Sequence, residues 1–324
     1  MPLVDALGRR FVYLRLSVED ACGYRCRYCL PHGYKKEEAE PPLALPEIRR
    51  LLSACAGLGM WKVRLTGGEP TLRPDLAAIA AAAAATPGVR RVALSTNGRR
   101  LAGLIPALSA AGVSAVNVSV DSLDRARFAE IVGRDELAYV LAGVDAARAA
   151  GMTVQVNAVL MKGVNDGEVA AFADFAAARG VEVRFIELMP TAGNADFFAA
   201  RHMKAESLAA RLLAEGWVEE PRAEADGPAR RFRRPGVPGA LGLIAPYAKD
   251  FCASCNRLRV TSRGRLRLCL FSEGESSLRD LLQRDEDRAA LQERLRALLG
   301  LKEPSHYLPE GRVGDNRTFA RIGG

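Results

Sequence analysis

The chain has 324 residues, 49% hydrophobic and 26% charged, a balance that supports a packed core and excludes wholesale disorder, a fibrous chain or a lone metal finger. Its 46 Lys and Arg outnumber 38 Asp and Glu to leave a formal charge of +8, which suits an anionic partner such as nucleic acid, a membrane surface or a phosphorylated small molecule. No run approaches the roughly 18 apolar residues of a membrane helix, and the first ten residues lack the order of a secretory signal, so no membrane partner and a cytoplasmic location are expected.

Six short β-branched or aliphatic runs, at 11–18, 62–66, 89–95, 115–120, 153–161 and 181–188, predict strands. Segments of helical period lie between them at 46–58, 74–86, 101–111, 136–150 and 165–179. The Ala-rich run 77–85 reads as a plain scaffold helix, because alanine is the best helix former. Strand and helix alternate, which predicts an α/β fold: a parallel sheet with right-handed crossovers, curling into an incomplete (β/α)6 TIM-like barrel. Its chemistry is expected at the C-terminal ends of the strands. The pattern changes near residue 216, where 221–239 is rich in Pro, Gly and Arg and the later strands are short. Two regions are therefore expected: a partial barrel over 1–215 and a smaller C-terminal region over 216–324. The second region carries a predicted helix at 278–299 and a Gly- and Arg-rich tail.

Seven cysteines in such a chain are too few and too clustered for a disulfide scaffold and point to metal or catalysis. Cys22, Cys26 and Cys29 form C-x3-C-x2-C directly after the first predicted strand, where a barrel presents catalytic groups. Three thiolates do not complete a structural zinc site, but they suit a 4Fe-4S cluster with one iron open to another ligand. A zinc loop completed by His32 is the alternative. Cys252, Cys255 and Cys269 form a second triad, C-x2-C-x13-C, for which zinc also stays open. Cys55 falls at an apolar helical position and reads as a core thiol.

The first triad, with Tyr28 before its last cysteine, and Gly67-Gly68-Glu69-Pro70 after the second strand resemble the radical S-adenosylmethionine (SAM) superfamily. Together with the second triad, the Phe251-Cys252-Ala253-Ser254-Cys255-Asn256-Arg257-Leu258-Arg259 stretch and the terminal Gly323-Gly324, nearly the whole chain resembles the MoaA-type GTP 3',8-cyclase family of molybdenum-cofactor biosynthesis. That resemblance implies two 4Fe-4S clusters and SAM as cofactors. The first cluster would cleave SAM, and the second would bind the guanine of GTP through its open iron. A 5'-deoxyadenosyl radical would take hydrogen from the ribose 3' carbon, and the resulting radical would attack position 8 of guanine; the implied final product is 3',8-cyclo-7,8-dihydro-GTP. Implied partners are a low-potential electron donor, the downstream cyclic pyranopterin monophosphate synthase and a second copy of the chain in a homodimer, with no nucleic acid.

Site residues follow from the same resemblance. Tyr28, Gly68, Ser119 and Met189 match SAM positions, and Gly68 is expected to let backbone groups approach the methionine amino group. Arg15, Lys62, Arg64, Ser95, Arg184, Arg257 and Arg259 match positions around GTP. Lys62 and Arg64 alternate on their strand and so share the lumen face, where buried cations call for an anion. Gly323 and Gly324 match a terminal pair that reaches the active site. There are departures: Glu19 stands for a common threonine, Gly23 for an asparagine, and Gln155 for a lysine usually assigned to the phosphates. With that charge-assisted bond missing, GTP binding is expected to be about ten- to a hundredfold weaker unless a neighbour such as Lys162 or Arg184 compensates, and Gln155→Lys to tighten it. Two other readings are a peptide or sulfatase maturase of the radical SAM class and, from a different class, a zinc-containing RNA-binding module.

Overall fold

Strand β1 (Tyr13–Glu19) buries Leu14, Leu16 and Val18 beneath helices while Tyr13, Arg15 and Ser17 take the opposite face, the period of two that a strand imposes. In the computed structural model, which describes residues 2–36, 40–221 and 227–322, this pattern repeats around a barrel. The next elements are α1 (Leu45–Gly57), β2 (Lys62–Gly67), α2 (Leu76–Ala85), β3 (Arg91–Thr96), α3 (Leu101–Ala110) and β4 (Val113–Ser119). They are followed by α4 (Arg125–Val132), α5 (Leu137–Ala149), β5 (Thr153–Leu160), α6 (Val169–Arg179) and β6 (Glu182–Glu187). The six expected strands are all present, and the Ala-rich run is the scaffold helix α2, with Ile79, Ala80 and Ala83 fully buried.

Three helices were not anticipated: α4, α7 (Ala195–Arg201) and α8 (Ala205–Ala214). Helix α4 is short but well punctuated, since Asp124 accepts from the Arg127 N–H at 2.8 Å and Gly133 closes it in the left-handed region at φ 76°. Helix α7 buries none of its residues, so it has no apolar stripe to read. The helix expected over 278–299 is shorter: 3-10 turns occupy Arg279–Leu282 and Asp285–Asp287, and α9 runs only over Arg288–Leu299. Three acidic residues, Asp285 to Asp287, sit at its start, where they favour a helix N-terminus over its interior.

Beyond Gly216 come β7 (Val218–Glu220), β8 (Arg230–Arg233), β9 (Ala240–Ile244), β10 (Arg257–Val260), β11 (Arg265–Arg267) and β12 (Ser276–Ser277). They join the barrel's own sheet, whose order is β12-β11-β10-β1-β2-β3-β4-β5-β6-β9-β8-β7. Strand β9 pairs parallel to β6 at one edge and β10 pairs parallel to β1 at the other. The segment from 245 to 256 therefore crosses from one edge of the open barrel to the other, and it carries Cys252 and Cys255. Among the described residues no helix is long and apolar enough to cross a membrane.

Candidate active site

The two cysteine triads lie at opposite ends of the same strand. The first follows the C-terminal end of β1, while the Tyr13 N–H at its start donates to the Asn256 carbonyl, beside Cys255. Strand β11 runs antiparallel to β10 and so returns Cys269 to that same lower end. A seven-residue strand spans roughly 20 Å, and two adjoining cavities fill that length. The upper one, about 170 Å³, is lined by Cys22, Cys26, Cys29, Tyr28, Gly68 and Ser119. The lower, about 190 Å³, is lined by Cys252, Cys255 and Cys269 and by a field of cations. Asn157, Ile186 and Met189 border both.

In the upper cavity the GGEP turn is tied down by its carboxylate. Glu69, 2% exposed, accepts from Thr71 Oγ1 at 2.6 Å, Thr96 Oγ1 at 2.7 Å and the Asn97 N–H at 2.6 Å. This fastens the end of β2 to the end of β3. Gly68 is required for a reason other than the expected one: a Cβ there would stand 2.3 Å from the Asp20 carbonyl and 2.5 Å from that of Ala21. The close neighbour that demands glycine is thus the cysteine loop itself. Glu19 caps that loop by accepting from the Asp20 and Ala21 N–H groups at 2.9 and 3.0 Å, which accounts for a carboxylate where a threonine was expected. The Tyr28 hydroxyl donates to Asp121 at 2.8 Å, and burial pushes the Asp121 carboxyl up to about 6. Burial likewise pushes the Cys22 thiol up to about 11 and raises Cys26 and Cys29.

The lower cavity is built from cross-strand rows. Tyr13 stands between Arg257 and Lys62, with Arg91 next; one pleat further on, Arg15 stands between Arg259 and Arg64. Like charges placed opposite one another on a sheet are unfavourable without an anion between them. Burial first, and then the Arg259, Arg64 and Arg257 charges, lower Arg15 to about 9. Burial raises the Tyr13 phenol, but Arg64, Arg15 and Lys62 outweigh it and bring it down to about 7. The same contest at Cys255 is won by Arg257 and Lys302, which hold its thiol at about 7. The buried Nε of Arg259 and the Oδ1 atoms of Asn117 and Asn157 have no hydrogen-bond partner in the structure. Such atoms are what a polar, polyanionic ligand satisfies.

Arg15, Lys62, Arg64, Arg184, Gln155, Arg257 and Arg259 are therefore brought together, while Ser95 lines the upper cavity and accepts from Arg64 at 3.2 Å. Gln155 borders the lower cavity, but its amide donates to Glu182 at 3.2 Å. Glu182 also holds Arg184, through bonds of 2.7 and 3.2 Å. Gly323 and Gly324 lie outside the described residues. The last described residue, Ile322, packs in a small apolar cluster with Phe271 and Phe319 that Cys29, Met189 and Cys269 flank. Sequence reasoning missed Glu69, Asp121, Tyr13 and Lys302. Glu69 lay inside a quoted motif and Asp121 just after Ser119, whereas nothing in the sequence around Lys302 signals its approach to Cys255.

Both triads meet the chemistry of a cluster. All six thiols are free and partly buried. Among the described residues no three His, Cys, Asp or Glu side chains converge as they would on a single ion, and a cluster does not ask them to, because each thiolate takes a different iron.

Two family models match the chain: Radical SAM superfamily over residues 16–176 and Molybdenum Cofactor Synthesis C over 181–308. A protein of Stenotrophomonas maltophilia named GTP 3',8-cyclase is 50% identical over 323 residues, 99% of each chain. One of the same name from Cronobacter sakazakii is 48% identical over 325 residues, again 99% of each. Among solved structures, the SAM-bound SuiB of Streptococcus suis aligns with a TM-score of 0.59 at 14% identity, covering 87% of this chain and 68% of that one. That likeness concerns the fold alone.

Proposed function

The chain belongs to the GTP 3',8-cyclase family of radical SAM enzymes, and we propose that its upper cavity holds SAM on a cluster bound by Cys22, Cys26 and Cys29 while its lower cavity holds GTP against a second cluster on Cys252, Cys255 and Cys269. The reaction is the cyclisation of GTP to 3',8-cyclo-7,8-dihydro-GTP in molybdenum cofactor biosynthesis, with SAM and an iron–sulfur cluster as cofactors. Neither a maturase nor an RNA-binding module fits relatives of this identity over the full length. The observation that carries the two-site reading is the pair of adjoining cavities, one triad at each end of β1, joined at Asn157, Ile186 and Met189.

The bound cluster and SAM together supply a 5'-deoxyadenosyl radical. The protein's task is to hold the ribose of GTP against that radical and to exclude water and other hydrogens. Arg15, Lys62, Arg64, Arg184, Arg257 and Arg259 neutralise the triphosphate and fix its position, the arginines through bidentate forks. Gln155 and Ser95 add polar contacts at the edges of that field. Tyr28, Gly68, Ser119 and Met189 shape the SAM cavity, with Asp121 holding the Tyr28 ring by its hydroxyl. A role for the terminal Gly323-Gly324 in the reaction rests on the family resemblance alone. Outside the chain, the reading calls for a one-electron donor, the cyclic pyranopterin monophosphate synthase that consumes the product, and a homodimer as the assembly.

The test is anaerobic turnover of reconstituted protein with SAM, dithionite and GTP, with nucleoside products read by mass spectrometry. Equal yields of 5'-deoxyadenosine and cyclised nucleotide are expected, with about eight iron atoms bound per chain. SAM cleavage without cyclised GTP would overturn the assignment of the lower cavity.

A further inference from the structure

The described end of the chain is fastened against the cysteine loop by the turn at 191–194, which follows β6. The Ala192 N–H donates to the Asn316 carbonyl at 2.9 Å, and Thr191 Oγ1 donates to the Arg317 carbonyl at 3.3 Å. Gly193 has to be glycine there, because a Cβ would stand 2.4 Å from that Arg317 carbonyl oxygen. The Asn194 amide donates to the Tyr28 carbonyl at 2.9 Å, so one turn grips both the tail and the residue before Cys29. What this places is the half-buried Thr318 hydroxyl, 3.4 Å from the Cys29 sulfur. Its oxygen accepts from the Ala320 N–H at 3.2 Å, which leaves its own proton for the sulfur, and accepting one bond strengthens the bond donated. At Cys22 and Cys26 hydrogen bonds come from Tyr24 and Tyr28 of the cysteine loop and from Asn97 just past β3; at Cys29 they come from the tail, from Thr318, Phe319 and Ala320.

We propose that Thr318 tunes the cluster of the first triad: its hydroxyl donates to the Cys29 thiolate and raises the potential at which that cluster accepts an electron. The proposal rests on the first triad holding a cluster. A cysteine sulfur bound to iron has no proton, so the hydroxyl is the donor and the sulfur the acceptor. The reduced cluster carries one more negative charge than the oxidised one, and a donor to its sulfur stabilises the more negative state. Burial pulls the other way, since it disfavours added charge. The donor comes from a segment almost three hundred positions beyond the cysteine it serves, and its place is fixed by the turn at 191–194.

The experiment compares reconstituted wild-type protein with Thr318→Val, which keeps the shape of the side chain and removes its hydroxyl, and with Thr318→Ser, which keeps the hydroxyl. Each is titrated reductively without oxygen and followed by electron paramagnetic resonance. The first cluster is the one whose signal changes when SAM is added, and the other cluster is the internal control. In Thr318→Val the ratio of reduced to oxidised first cluster at a given potential is expected to fall about tenfold, a midpoint about 59 mV lower for one electron. Iron content and the second cluster's midpoint should not change, and Thr318→Ser should titrate as wild type. Equal midpoints for Thr318→Val and wild type would overturn the proposal. So would a shift shared by Thr318→Ser or by the second cluster, or loss of the first cluster's iron in Thr318→Val, each of which would make the tail a structural prop. A wild-type protein with no SAM-responsive cluster would instead refute the reading beneath the proposal.

Discussion

The two cysteine triads, at the ends of one strand, differ in the charges that surround them. Around the first, burial and the carboxylates Glu69 and Asp121 oppose negative charge, so Cys22 rises to about 11 and Cys26 is raised as well. Around the second, Arg257 and Lys302 overcome burial at Cys255 and hold it at about 7, while burial still raises Cys252. The first site is lined by backbone turns and hydroxyls; the second is lined by cations. The difference teaches where the substrate's charge goes: a nucleoside triphosphate belongs with the lower triad, and a sulfonium, itself a cation, with the upper.

The sharpest way to break that division is to remove one triad at a time. Cys26→Ala is expected to lower 5'-deoxyadenosine formation at least about a thousandfold while the iron of the lower site stays bound, because no other group supplies the radical; iron analysis and product chromatography check both halves. Cys269→Ala should keep reductive SAM cleavage but lose cyclised GTP by at least about a hundredfold, since the ribose is no longer held against the radical. Normal cyclisation from this variant would remove the lower triad from the mechanism. Deleting Gly323 and Gly324 should suppress product while sparing both clusters, and unchanged turnover would show the tail to be inert.

Smaller effects sharpen the electrostatic side of the comparison. The structure redirects the expectation for Gln155: the ammonium introduced by Gln155→Lys would meet Glu182, which already holds Arg184. Alone it should change GTP affinity little. Combined with Glu182→Gln it should tighten GTP about tenfold, with the gain shrinking as salt rises and SAM affinity unaffected; titration calorimetry at two salt concentrations decides it. The smallest effect is a proton. Tyr13 sits near 7 against an ordinary value of 10 because cations surround it. Its phenolate therefore adds stability as pH climbs from about 7 toward 10, and that contribution disappears as pH falls through 7. GTP neutralises those cations, so binding at pH 8 should take up a fraction of a proton, seen as a buffer-dependent binding enthalpy that Tyr13→Phe removes.

Local order was legible in the amino-acid sequence. Six strands and their intervening helices announced themselves because a period of two or of 3.6 is written along the chain itself, and the first triad because its three cysteines lie within eight residues in one loop. Helix α7 was not, because it buries no face to give it a period. What only the tertiary structure decided is long-range. It brought Cys269 back beside Cys252 through the β10–β11 hairpin, set Arg257 and Arg259 in register with Tyr13 and Arg15, and showed that Gly68 is glycine because of the cysteine loop. It also turned Gln155 toward Glu182 and laid Thr318 against Cys29. Motif spacing specifies ligands that are neighbours along the chain. Which strands flank one another, and so which charges share a cavity, depends on sheet order and register, set by packing among residues hundreds of positions apart.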